Sequence, residues 1–159
     1  MTQQRYKPNT TVACVIHCQQ KFLFVEEIIE GEVRFNQPAG HIEALESIPQ
    51  ACKREVNEET GLDIELAGLI GIYQFSADEQ LAFVRFTFAA ETENLIDCQP
   101  LDEAIKACHW LTLDEIKSRK HQLRSPLVIK CIEDYLHKGH SPLSLIDSDL
   151  QMIADNNNA

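Results

Sequence analysis

Between Arg54 and Glu59 the chain reads REVNEE, with acidic side chains at positions 55, 58 and 59. On a helix these i, i+3 and i+4 positions share one face, with Cβ atoms about 5–6 Å apart. Carboxylates held that close repel one another in water. A hard divalent cation reverses the sign of the effect, because oxygen donors suit Mg²⁺ and Mn²⁺. Mg²⁺ at such a site commonly shares its shell between one or two carboxylates and substrate phosphates. Arg54 can hold a carboxylate in bidentate geometry. Val56 points to another side and can seat the helix on a core. Taken alone, an EVNEE fragment is most often a solvated helix face.

The wider spacing changes that weight. Residues 40–62 read GHIEALESIPQACKREVNEETGL. Gly40, Glu46, Arg54, Glu55, Val56, Glu58, Glu59, Gly61 and Leu62 fill every fixed position of GX5EX7REUXEEXGU, where U is bulky and apolar. With background frequencies of roughly 1/15 for specified residues and 1/4 for apolar ones, chance agreement is about 10⁻⁹ per start position. This pattern is the Nudix box, and the chain resembles the Nudix hydrolase superfamily. That resemblance implies an α/β/α sandwich with a mixed sheet, and metal-dependent attack of water on a nucleoside-diphosphate-linked compound. It implies Glu55 and Glu59 as ligands of Mg²⁺ (or Mn²⁺), with Glu58 a ligand or the base that activates water. Arg54 and Glu46 position the cluster, and a backbone carbonyl near Gly40 joins the metal shell.

Outside the box, TVACVIH, FNQPAGHIEA and HQLRSPLV resemble the NudJ-type phosphatases within that superfamily, over roughly Tyr6 to Ile146. The implied substrates are thiamine pyrophosphate, hydroxymethylpyrimidine diphosphate and nucleoside di- and triphosphates, with orthophosphate released. The enzymatic alternative is a pyrophosphohydrolase releasing pyrophosphate from nucleoside triphosphates, or cleaving ADP-ribose or another NDP-linked compound. A non-catalytic nucleotide sensor is the remaining alternative, although such modules usually lose box carboxylates.

The elements that must position these residues are legible in outline. Thr11–Ile16 and Lys21–Val25 form a hairpin across the polar 18–20 segment, and Glu32–Phe35 adds a short strand. Residues 36–40, NQPAG, read as a loop. Ser47 is an N-cap with Gln50 at capping-box spacing, Pro49 lies in the first turn, and the helix should run to Thr60 and stop at Gly61. Leu66–Phe75 and Leu81–Ala90 are strands, and Ala107–Leu111 is another. Thr112 and Glu115 open a second helix to Arg119. Ser125, as N-cap, and Pro126 start a third ending near Gly139, with an apolar stripe of Val128, Ile132 and Tyr135/Leu136. The order predicts an α/β layered fold, with the catalytic domain over 1–146 and a flexible tail over 147–159.

Candidate substrate contacts are less tightly specified. Gln37, Gln74 and Arg85 could read a base or ring; Arg85 sits in the apolar run VRFTF and needs a partner if buried. Phe75 and Phe83 are read first as core. Asp102 and Glu103 are the analogues of an extra acid recruited from outside the box. His41 could approach a phosphate, and Arg124 beside the third helix N-terminus could bind an anion. The six histidines show no zinc-ligand spacing.

Composition bounds the partners. A chain of 159 residues with net charge −11 is a poor general binder of nucleic acid or anionic lipid. It contains no apolar run near the ~18 residues of a membrane span. Its first residues are polar, unlike a signal peptide. A cytoplasmic enzyme for a small phosphate substrate, monomeric or homodimeric, is the expectation. Its six cysteines, with no CxxC pair, are expected to be reduced thiols.

Overall fold

The computed structural model describes residues 5–148. Its strands are β1 (Asn9–Cys18), β2 (Lys21–Ile29), β3 (Glu32–Asn36), β4 (Ala39–His41), β5 (Gly68–Ser76), β6 (Ala82–Glu91) and β7 (Ile105–Thr112). Its helices are α1 (Ile48–Thr60), α2 (Leu113–Ser118) and α3 (Leu127–Lys138). The seven strands form one mixed sheet, as the expected α/β class requires. The expected tail lies outside the described residues, apart from Asp147 and Ser148.

The sheet has two wings. In one, β1 pairs in parallel with β6 and antiparallel with β4, and β5 flanks β6. In the other, β2 pairs with β3 and β7. Among the described strands, the wings pair at the β1–β2 hairpin, where His17 faces Phe22 and Cys18 faces Lys21. Beyond that turn β1 and β2 diverge, and the space between them becomes the cleft described below.

β1 reads as an unbroken apolar run because both of its faces are buried. Val12, Cys14 and Ile16 meet Cys52 and Val56 of α1 in one core. Val15 lies on the opposite face, in the core built with Val128, Ile132 and Tyr135 of α3. The result is helix on sheet on helix, the layered arrangement expected.

Three local expectations change. Residues 36–40 are not all loop: Asn36 ends β3, and Ala39 and Gly40, with His41, pair with Ala13, Val12 and Thr11 as strand β4. Ser125 does not cap α3, since Pro126 occupies the cap position without a side-chain bond and Ser125 contributes its carbonyl to Val128 N–H (3.2 Å). Leu136 is 49% exposed. Seven residues at 3.6 per turn bring Tyr135 back under Val128, whereas the eighth swings away from the sheet.

Candidate active site

The ends of α1 fix its register. Ser47 Oγ accepts from Gln50 N–H (3.2 Å), and Gln50 Oε1 accepts from Ser47 N–H (2.8 Å), a closed capping box. At the other end Gly61 takes φ +72° and donates its N–H to Asn57 C=O (2.7 Å). Cys52, Val56 and Thr60 then face the sheet, buried at successive i+4 steps. Glu55, Glu58 and Glu59 flank that buried face.

Arg54 organises the acids around it. Its Nε and Nη2 donate to the two oxygens of Glu46 (3.0 and 2.8 Å). Its Nη1 donates to Glu55 (2.8 Å) and Glu58 (3.1 Å), and Nη2 also reaches His41 C=O (2.9 Å). The guanidinium is held more firmly protonated than usual, first by Glu46. Arg54 in turn lowers the Glu46 carboxyl. Glu55 moves the other way, because burial outweighs its contact with Arg54.

Glu59 is the most perturbed acid of the group. It is 8% exposed, and burial pushes its carboxyl up to about 8 against one opposing hydrogen bond from Ala39 N–H (2.9 Å). The charges of Glu55, Glu27 and Asp102 push it further in the same direction. Strand β4 places Gly40 directly against Glu55. A Cβ there would lie 2.1 Å from the Glu55 carboxyl carbon, so only glycine admits the carboxylate.

Glu46, Glu55 and Glu58 therefore share one guanidinium, and Glu59 adds a fourth carboxylate that the guanidinium does not contact. Among the described residues, no three acidic, histidine or cysteine side chains converge on one point. The donor set still fits a hard cation. Its atoms are all oxygens, its formal charge is negative by three, and burial, reinforced by neighbouring acids, drives Glu59 towards its neutral form.

The cleft between the wings is about 640 Å³ in volume. Glu59, Gly40 and His41 line it, as do Arg85 of β6, Arg124, Phe75 and Phe83. Thr11 of β1 pairs with His41 on one side and Arg85 on the other. Arg85 is largely buried, its Nε and Nη1 have no hydrogen-bond partner among the described residues, and burial disfavours its charge. Its guanidinium carbon lies 6.0 Å from the Phe75 ring centroid. Phe75 and Phe83 are stacked at 5.0 Å and line the cleft, so they are not simply core.

The other candidates divide. Arg124 lines the cleft, 3.8 Å from Glu27. Gln37 does not line it: the side chain is 1% exposed and ties the β3–β4 segment to α3 by donating to Val128 C=O (2.8 Å). Asp102 and Glu103 are exposed and lie outside its lining. Asp102 uses its carboxylate on Ala104 N–H (2.9 Å) and its own N–H on Glu58 C=O (2.9 Å), bracing the end of α1. Gln74 lines a neighbouring groove.

Sequence reasoning missed Thr11, Glu27 and Asn36 in the cleft wall. The signal for Glu27 was that its strand continues through Glu26 and Glu27 to Ile29. A charged pair inside a strand must face something other than core. Thr11 Oγ1 and Asn36 Oδ1 in this wall, like Gln37 Oε1 behind it, are buried without a hydrogen-bond partner among the described residues.

An acid-rich helix packed on a glycine strand thus adjoins a cleft that also holds two arginines. The model of the NUDIX domain matches residues 7–130, and the chain belongs to that family as a Nudix hydrolase, an enzyme that cleaves pyrophosphate linkages. It is 43% identical to Phosphatase NudJ of Escherichia coli strain K12 over 141 residues, 89% of this chain and 92% of that one. A NUDIX hydrolase from Nitrosomonas europaea superposes with a TM-score of 0.82 at 43% identity, covering 89% of this chain and 97% of that chain. The NUDIX domain of Shewanella oneidensis NrtR, solved with ADP ribose, shares the fold (TM-score 0.68, 20% identity, 83% of this chain and 88% of that one). No helix among the described residues is long and apolar enough to cross a membrane.

Proposed function

We propose that the protein is a Mg²⁺-dependent phosphatase that releases orthophosphate from thiamine pyrophosphate, hydroxymethylpyrimidine diphosphate and nucleoside di- and triphosphates, with Mn²⁺ as a possible substitute ion. The observation that carries this reading is the mixed charge of the cleft lining. Glu59, from the acid-rich helix, lines it together with Arg124 and a largely buried Arg85 whose Nε and Nη1 have no partner among the described residues. A phosphoanhydride suits both kinds of group, with oxygens for Arg85 and Arg124 and further oxygens for a cation held by Glu55, Glu58, Glu59 and the Gly40 carbonyl. The 43% identity to Phosphatase NudJ supports phosphatase over pyrophosphohydrolase chemistry.

When bound, the divalent ion would neutralise phosphate oxygens and acidify the attacking water. The protein supplies the rest. Arg54 holds Glu46, Glu55 and Glu58 in one plane of hydrogen bonds. Glu58, with a side chain 48% exposed, faces solvent and is steadied by Arg54. It accepts the proton of the water that attacks phosphorus, a role typically worth about 10²–10⁴ in rate. Arg85 and Arg124 orient the phosphate chain, and the Phe75–Phe83 stack receives the organic group. The catalytic domain extends over residues 1–146, and the enzyme works in the cytoplasm on small phosphate compounds, as a monomer or homodimer.

The test measures orthophosphate and pyrophosphate separately, from thiamine pyrophosphate, GTP, GDP and ADP-ribose with Mg²⁺, beside the Glu58→Gln protein. Orthophosphate from thiamine pyrophosphate and GTP, lost in the variant, is the expected result. Pyrophosphate as the main product from GTP would overturn the phosphatase assignment. Full kcat in Glu58→Gln at saturating Mg²⁺ would remove Glu58 as the base.

A further inference from the structure

A second hollow of about 470 Å³ adjoins the cleft. The two share Phe75, Ser125 and Pro126 in their walls. The walls of the outer groove are Ile72, Tyr73, Gln74, Leu127 and Lys130. Ile72 is 59% exposed, a large apolar side chain left in water beside a binding site. Lys130 stands at the groove with its ammonium 6.0 Å from the Tyr73 ring centroid and paired to Asp134 at 2.9 Å, a carboxylate that Lys138 also contacts at 2.9 Å. The groove therefore offers chiefly apolar and aromatic contact, unlike the cleft beside it.

Strand order sets the length of the combined site. From β4, which carries Gly40, the sequence of neighbours is β1, β6, β5. Three strand spacings of about 4.8 Å place β5 roughly 14 Å from β4. A diphosphate and one attached ring span a comparable length, so a single ring ends beside Phe75. A longer organic group must continue past Phe75, and the apolar groove is what it meets.

We propose that this groove is the subsite for the outer part of the substrate, and that it selects diphosphate esters whose organic group extends beyond one ring. The inference rests on the reading that the cleft holds a phosphoanhydride. Ile72 and Leu127 are the specificity-determining side chains, acting by apolar contact with the second ring. Losing one side chain's worth of that contact changes selectivity about tenfold.

The experiment compares a two-ring and a one-ring ligand, as ratios that cancel any general loss of folded protein. KM is measured with Mg²⁺ for thiamine pyrophosphate and hydroxymethylpyrimidine diphosphate, in the unaltered protein and in Ile72→Ser and Leu127→Ser. Calorimetric Kd is measured for the matching monophosphates, which contain no anhydride and bind without turnover. The expected result is preference for the two-ring ligand in both assays, with that preference falling about tenfold in each variant while kcat changes little compared with KM. No preference in the unaltered protein, or an equal preference in all three proteins, would overturn the groove. If neither diphosphate is hydrolysed, the phosphatase reading falls, yet the monophosphate ratios still decide whether the groove binds a second ring.

Discussion

Replacing Gly40 by alanine would put a methyl group where the Glu55 carboxylate now lies. The added Cβ would sit 2.1 Å from the carboxyl carbon and from Oε1, and 2.3 Å from Oε2. Ordinary contact begins near 3.4 Å, so the carboxylate must retreat by more than an ångström. Gly40 is not among the residues with positive φ, so alanine is not strained by the backbone there. The obstacle is the tip of a flexible side chain, and Glu55 can swing away at the expense of its 2.8 Å bond to Arg54. Stability should therefore change by only about 1 kcal/mol. Activity should change far more, because a displacement of about 1 Å at a reacting centre costs on the order of 10²-fold. The assay is kcat and KM with a Mg²⁺ titration, beside urea unfolding. Gly68→Ala is the matched control: its Cβ would meet His140 Nδ1 at 2.2 Å and the Ser141 carbonyl at 2.4 Å, remote from the carboxylates. It should lose about 1–3 kcal/mol of stability and keep kcat. A Gly40→Ala protein with unaltered kcat and Mg²⁺ dependence would refute the placement of Glu55 at the reacting centre. Shortening the acid should also expose the coupling, so that Gly40→Ala costs much less in a Glu55→Asp background.

Four further outcomes follow from named contacts. Glu59, pushed up to about 8 by burial, keeps its proton in the folded chain at pH values where the unfolded chain has released it. EDTA-treated protein should thus lose stability as pH rises from about 4.5 to 8, by a few kcal/mol at most, and Glu59→Gln should flatten that fall in urea melts. Arg85→Leu removes a buried cation with two unpartnered N–H groups, so the ligand-free protein should become more stable while KM for the diphosphate rises roughly tenfold or more; an unchanged KM would remove Arg85 from the substrate. Ser47→Ala breaks one half of the α1 capping box and should cost about 1 kcal/mol in thermal unfolding, with kcat preserved in the protein that remains folded. Asp102→Asn should leave kcat within about twofold, since that carboxylate braces a loop outside the cleft lining; a hundredfold loss would restore it as a catalytic acid.

The two sides of the site differ in how far the sequence exposes them, and the reason is topological. The acidic side is encoded locally. Glu55, Glu58 and Glu59 belong to one helix, the cap residues Ser47, Gln50 and Gly61 announce its ends, and helical periodicity converts spacing into direction. Even there the partner strand was hidden, because Pro38-Ala39-Gly40 carries the composition of a turn. Only the antiparallel pairing of Gly40 with Val12 makes it a strand and presses it against Glu55. The rest of the cleft wall is encoded non-locally. Thr11, Glu27, Asn36, Arg85 and Arg124 come from five segments that the fold gathers into one lining. No spacing rule links them, so each is legible only as a local anomaly, such as an arginine among apolar strand residues or a glutamate in mid-strand. Gln37 shows the limit of that signal. It is equally anomalous in sequence, yet its partner is the Val128 carbonyl of α3. An anomaly reports that a polar group must be satisfied, and only the fold says whether the protein itself or a ligand satisfies it. Arg85 lines the cleft with Nε and Nη1 unpartnered among the described residues, whereas Gln37 lies outside the lining and spends an amide N–H on a backbone carbonyl. That difference is why the Arg85→Leu measurement, rather than a change at Gln37, is the one that probes contact with substrate.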